Sequence, residues 1–182
     1  MKIIISVKMS KILSLFLFLA FFNQSIEAQT IDSKKSIVEF EVDNMYVNTV
    51  EGTFSGFSGE VKFDIKNLDQ SRIDVCIDAS SVNTDNQKRD DHLRTADFFH
   101  VEKYPEICFK SSRISKSSNT YSVEGNLSMH GVTKSVKIPM NFENKLLEGR
   151  IKVNRLDYKI GEDTSTITIG EEISIVIKCQ LK

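Results

Sequence analysis

The chain has 182 residues, 24 of them Lys or Arg and 25 Asp or Glu, for a formal net charge of −1 at pH 7. Near-neutrality without clusters of basic residues gives no electrostatic reason to bind nucleic acid. The length suits one domain large enough to bury a core, and no low-complexity stretch or long linker suggests a second.

At the N-terminus, Lys2, Lys8 and Lys11 precede an apolar run, Ile12 to Phe22, broken only by Ser14, and a cleavage point follows Ala28. This is the pattern of a secretory signal peptide over residues 1–28, which leaves 29–182 as the mature domain. The run is too short to span a bilayer comfortably. With no cysteine near the cut, a soluble periplasmic or secreted protein without a stable membrane span is expected. Removing Lys2, Lys8, Lys11 and Glu27 takes the charged residues from 24 basic and 25 acidic to 21 and 24.

Beyond the leader the hydrophobic period is two. Val38, Phe40 and Val42 alternate with Glu39 and Glu41. A long strand region punctuated by Gly52, Gly56 and Gly59 follows, then Val61, Phe63 and Ile65, then Ile73, Val75 and Ile77. After an interruption the pattern resumes through Phe109, then Tyr121, Val123 and Leu127, and then Val136, Ile138, Met140 and Phe142. Ile151 and Val153, and finally Ile173, Ile175, Ile177 and Leu181, complete it. Strands with one apolar face and short turns between them predict an all-β, largely antiparallel sandwich or barrel. His130 and Gly131 read as a tight hairpin turn. Pro139 cannot donate a ladder hydrogen bond, so its strand should have an edge, bulge or frayed end there.

The interruption runs from Ser80 to Ser112. Thr84 and Gln87 fit a capping box, predicting a short helix from Asp85 to about Thr95. Arg89, Asp90, Asp91, His92 and Arg94 are too dense for burial and are expected to form local salt links on a solvated helix, or a polar rim that orients a head group. Leu93 and Ala96 are the inward contacts. Phe98, Phe99, Tyr104 and Pro105 then require something to pack against, which suggests a lid or mouth.

The block RDDHLRTADFF at Arg89 to Phe99 and YPEICF at Tyr104 to Phe109 resemble the signature of the YceI-like, polyisoprenoid-binding family. GTFSGFSGEVKFD at Gly52 to Asp64, VEGNLSMHGVTKSVKIP at Val123 to Pro139 and NRLDYKIG at Asn154 to Gly161 resemble further family elements, in the expected order. The resemblance implies an extended, lipocalin-like barrel of eight antiparallel strands with an apolar cavity. It also implies an isoprenoid, a quinone or another long-chain amphiphilic lipid as partner. Departures are Asn44, where a histidine is usual, Thr30 or Ile31, where an aromatic residue is usual, and a short connection from Glu143 to Glu148.

By parity Phe40, Phe63, Phe109, Tyr121, Leu127, Ile138, Met140, Phe142, Ile151, Val153, Ile173 and Ile175 face inward, either as core or as ligand contacts; Phe98 and Phe99 join them from the lid. Arg155 continues the inward parity of Ile151 and Val153. A buried arginine needs partners; Asp90, Asp91 or Asp157 could supply one, or the phosphate or carboxylate of a ligand could.

Cys76, Cys108 and Cys179 lack metal-site spacing. Cys76 and Cys108 point outward on strands flanking the excursion, either bridged or free, whereas Cys179 is a small inward residue. The rival to a noncatalytic carrier is an esterase or amidase acting on lipid-like substrates, with His92 as base and Ser111, Ser112 or Ser128 as hydroxyl. No nucleophile elbow or HExxH sequence supports it. A homodimer is left open.

Overall fold

The computed structural model describes residues 27–44 and 48–182, so the expected signal peptide lies outside the described residues apart from its last two. Nine strands form one antiparallel sheet: β1 (Ile37–Asn44), β2 (Asn48–Phe54), β3 (Ser58–Lys62), β4 (Arg72–Asp78), β5 (Glu106–Ser117), β6 (Thr120–Met129), β7 (Val132–Glu143), β8 (Leu146–Asn154) and β9 (Ile169–Gln180). The sheet order is β2-β1-β9-β8-β7-β6-β5-β4-β3, and it curls into a barrel. The count is nine rather than eight because the glycine-punctuated stretch divides into β2 and β3. The break falls at Gly56, whose φ of +74° suits a residue without a Cβ.

The edge strands β2 and β3 are not joined by a ladder. Instead, Thr53 exchanges both backbone hydrogen bonds with Asn83, at 2.8 and 3.0 Å. The Asp78 N–H donates to Ser55 O at 3.1 Å. Near the other end of β3, the Gln29 N–H donates to Val61 O and the Lys182 N–H to Thr30 O, tying β3 to the end of β9. The polar excursion therefore stands in for a missing strand contact along the seam.

Local sequence accounts for the irregularities. His130 and Gly131 have φ of 50° and 75°, the positive pair that a two-residue type I′ hairpin needs. The β7–β8 ladder extends only from Met140↔Gly149 to Glu143↔Leu146, starting just after Pro139. The β6–β7 ladder continues through Ser122↔Pro139. Where β7 parts from β8, the 3-10 turn Arg155–Tyr158 lies nearby: Lys134 donates to Asp157 at 2.9 Å, and Tyr158 packs with Leu127, Met129 and Val153. A register shift between Ser111 and Arg113 in β5 resets the alternation so that Ile114 is buried, as one inserted residue does.

Among the described residues the one α-helix, α1, spans Gln87–Arg94. Its N-cap is Asn86, whose side chain accepts from the Arg89 N–H at 3.1 Å, and not the expected Thr84. Thr84 donates through both N–H and hydroxyl to Asp90 Oδ1. Asp90 is consequently buried, contrary to expectation, because those donors offset its lost hydration. Ala96, expected inward, is exposed, since the helix ends before it. Phe98 is buried, while Phe99 meets Phe54 edge-to-face at 5.2 Å and Tyr104 meets His130 at 5.0 Å.

Candidate functional site

The barrel encloses an apolar cavity of about 420 Å³. This lies within the ~300–1,000 Å³ usual for small-molecule sites. Phe40 of β1, Phe109 of β5, Leu127 of β6, Ile138 and Met140 of β7, Ile151 and Val153 of β8 and Ile173 and Ile175 of β9 all line it. Phe98 and Phe99 line it from the segment after α1. The alternation works because successive side chains leave opposite faces of a strand, and a curled sheet has only one inside.

Phe63, Tyr121 and Phe142 face inward as core and are not among the residues that line the cavity. Phe63 packs against Tyr121 edge-to-face at 5.0 Å and against Phe142 at 4.8 Å, forming an aromatic plug. Parity specifies the face of a strand but not the height along the barrel. These three side chains converge and fill their level instead of leaving a gap.

At the mouth, Arg89, His92 and Leu93 of α1 line the cavity. Their spacing of i, i+3 and i+4 places them on one helix face, a signal visible in the sequence once the helix is placed. Arg89 is fixed in place: its Nε donates to Thr84 Oγ1 and its Nη2 to Thr84 O, each at 2.7 Å. His92 Nε2 lies 3.2 Å from Asp97 Oδ2, and its ring meets Phe98 edge-to-face at 5.0 Å. Asp91 bonds Gln87 and Arg94, and Arg94 also donates to the Ser80 and Val82 carbonyls. Ile160, Thr168 and Ile169 complete the rim from the connection into β9. Leu147 and Ile177, also on the wall, follow the parity of Ile151 and Ile175.

Arg155 is inward and 3% exposed, but none of its expected acidic partners meets it. Its guanidinium donates to five backbone carbonyls, those of Ile160, Gly161, Thr164, Ile169 and Gly170. Five N–H groups thus serve five acceptors, and the fork is saturated. Arg155 gathers the loop between the turn and β9 and has no free donor for a ligand.

Cys76 and Cys108 face each other across β4 and β5 and are joined as a disulfide with Cα atoms 4.0 Å apart. The bridge lies at the neck of the excursion, and its consumed sulfurs explain why the neighbouring Glu106 does not complete a thiolate metal site. Cys179 is buried on the inner face; burial pushes its thiol up to about 11, partly offset by a hydrogen bond with Ser36. The rival catalytic residues are dispersed. Ser111 Oγ accepts from the Ile73 N–H, Ser112 donates to Glu124 O and Ser128 shares a hydrogen bond with Thr133. None of the three is hydrogen-bonded to His92.

Residues 29–181 match the model of the YceI-like domain family. The protein called YceI in Salmonella newport is 30% identical over 165 residues, covering 82% of each chain. A UPF0312 protein of Pectobacterium atrosepticum is 36% identical over 107 residues, and the chain spans 56% of that relative's length. Among solved structures, BcnA of Burkholderia cenocepacia superposes with a TM-score of 0.77 at 26% identity, covering 82% of this chain and 98% of its own. A polyisoprenoid binding domain from Saccharophagus degradans, implicated in plant cell wall breakdown, superposes with a TM-score of 0.63. At 15% identity, covering 84% of this chain and 97% of that one, it shares the fold.

Proposed function

Because the chain belongs to the YceI-like domain family, we propose that it is an exported, noncatalytic protein holding an isoprenoid or similar amphiphilic lipid in its barrel, for transport, storage or sequestration. The observation that carries this reading is the cavity itself, walled by Phe, Ile, Leu, Val and Met side chains with its polar groups gathered at one rim. Such a wall needs no machinery beyond burial: each methylene withdrawn from water contributes about 0.8 kcal/mol. The shared fold of the polyisoprenoid binding domain supports the same ligand class. The Cys76–Cys108 disulfide supports an oxidising compartment, periplasmic or extracellular. Among the described residues no helix is long and apolar enough to cross a membrane.

Titration of the purified chain with geranylgeraniol, beside Ile175→Trp, tests the reading. Ile175 pairs with Ile151 across β8 and β9 in the cavity wall, so a larger ring there occupies ligand space. Saturable binding that weakens at least tenfold in the variant, with the unfolding midpoint retained, is expected. Equal binding by both proteins would place the lipid elsewhere.

A further inference from the structure

The walls of the cavity carry donors but no carboxylate. Its polar lining comprises Asn44, Arg89, His92, Arg155 and Thr168. Arg155 has spent all five N–H groups on backbone carbonyls, which leaves Arg89, among the described residues, as the lining arginine with a donor for a ligand. Thr84 takes the Nε and one terminal nitrogen of Arg89, and Nη1 has no protein partner among the described residues. Nearby acids are turned away from it: Asp90 accepts from Thr84, Asp91 bonds Gln87 and Arg94, and Asp97 faces His92. Asp90 reaches Arg89 only through Thr84, which is itself 5% exposed and therefore a rigid support.

We propose that Arg89 is the specificity-determining residue of this cavity, selecting amphiphiles with an anionic head, a phosphate or a carboxylate, over neutral alcohols of the same chain. The inference rests on the carrier reading and adds the class of head group. A half-buried guanidinium at an apolar opening is poorly hydrated, and an oxyanion restores what it has lost through a charge-assisted hydrogen bond. The Thr84 contacts hold the fork before the ligand arrives, so little ordering remains to be done on binding. An alcohol head offers a neutral acceptor there and leaves the charge uncompensated.

Calorimetric titration with farnesyl monophosphate and with farnesol, on the wild-type chain and on Arg89→Gln, tests this. The wild type should prefer the phosphate by about tenfold or more, the scale of a hydrogen bond to a charged group. Arg89→Gln should abolish the preference, so that the variant binds farnesyl monophosphate no more tightly than it binds farnesol. If Arg89→Gln also loses farnesol, Arg89→Lys decides: it keeps the charge, and a retained preference supports the assignment while a lost one overturns it. Equal affinities in the wild type, or a preference that survives Arg89→Gln, would overturn the head-group assignment alone. Failure of both ligands to bind the wild type would overturn the carrier reading with it.

Discussion

Gly52 of β2 lies directly opposite Phe40 of β1, and the Phe40 ring fills the space that a Cβ at position 52 would occupy. The Thr84 methyl approaches the same point, to 2.8 Å of that Cβ position, so barrel wall and lid meet over this glycine. Phe40 in turn lies 5.4 Å from Phe54, which packs on Phe99. Gly52→Ala should therefore displace the ring toward the cavity and disturb the lid. A loss of about 1–3 kcal/mol is expected from overpacking. Urea unfolding should show the lower midpoint, and prenyl alcohol titration a weaker affinity.

The Cys76–Cys108 bridge joins residues 32 apart in sequence and closes the loop that contains α1. Replacing both cysteines with serine should cost about 2–4 kcal/mol, through a less restricted unfolded chain. Reductant should lower the melting temperature of the wild type and leave that of the double variant unmoved. A reductant-insensitive wild type would show that the bridge contributes little.

Arg155→Met would leave five carbonyls to find new partners, of which those of Ile160 and Gly161 meet the guanidinium in the most buried surroundings. Destabilisation of roughly 1–3 kcal/mol is expected for each carbonyl that stays buried without a donor. Arg155→Lys should rescue little, since three donors on a flexible stem cannot reproduce the fork. Amide exchange should quicken across residues 160–170 in both variants, and unchanged protection would contradict the bracing role.

The contrast between Arg155 and Arg89 shows where reading from sequence ends. Alternation alone placed Arg155 inside, and it is inside. Its partners are backbone carbonyls, which carry no residue-type signature. Arg89 belonged to a charged run whose cavity-facing side emerges only when the helix has a start, and Asn86 sets that start two residues beyond the expected cap. The strand pattern, the His130–Gly131 turn and the interruption at Pro139 were legible because each depends on local backbone chemistry. The plug of Phe63, Tyr121 and Phe142 depends on how three distant strands stagger, which parity does not encode.

Cys179 provides a pH test. Its thiol is raised by burial from an ordinary value of 9.0 to about 11, so the folded state favours the protonated form. The associated stability is fully present below about pH 9 and is lost as pH rises toward 11. At 1.36 kcal/mol per unit over about two units, the loss is on the order of 3 kcal/mol. Cys179→Ala should show a shallower decline across that window in chemical denaturation. Parallel curves for the two proteins would remove this thiol as the cause.

That the barrel holds an amphiphile is tested most directly by mass spectrometry of organic extracts from the chain, purified without detergent from its native host. A near-stoichiometric, chain-bearing lipid with an anionic head is predicted, reduced in Ile175→Trp. A lipid-free extract from wild-type protein that also fails to take up farnesyl monophosphate would contradict the proposed function.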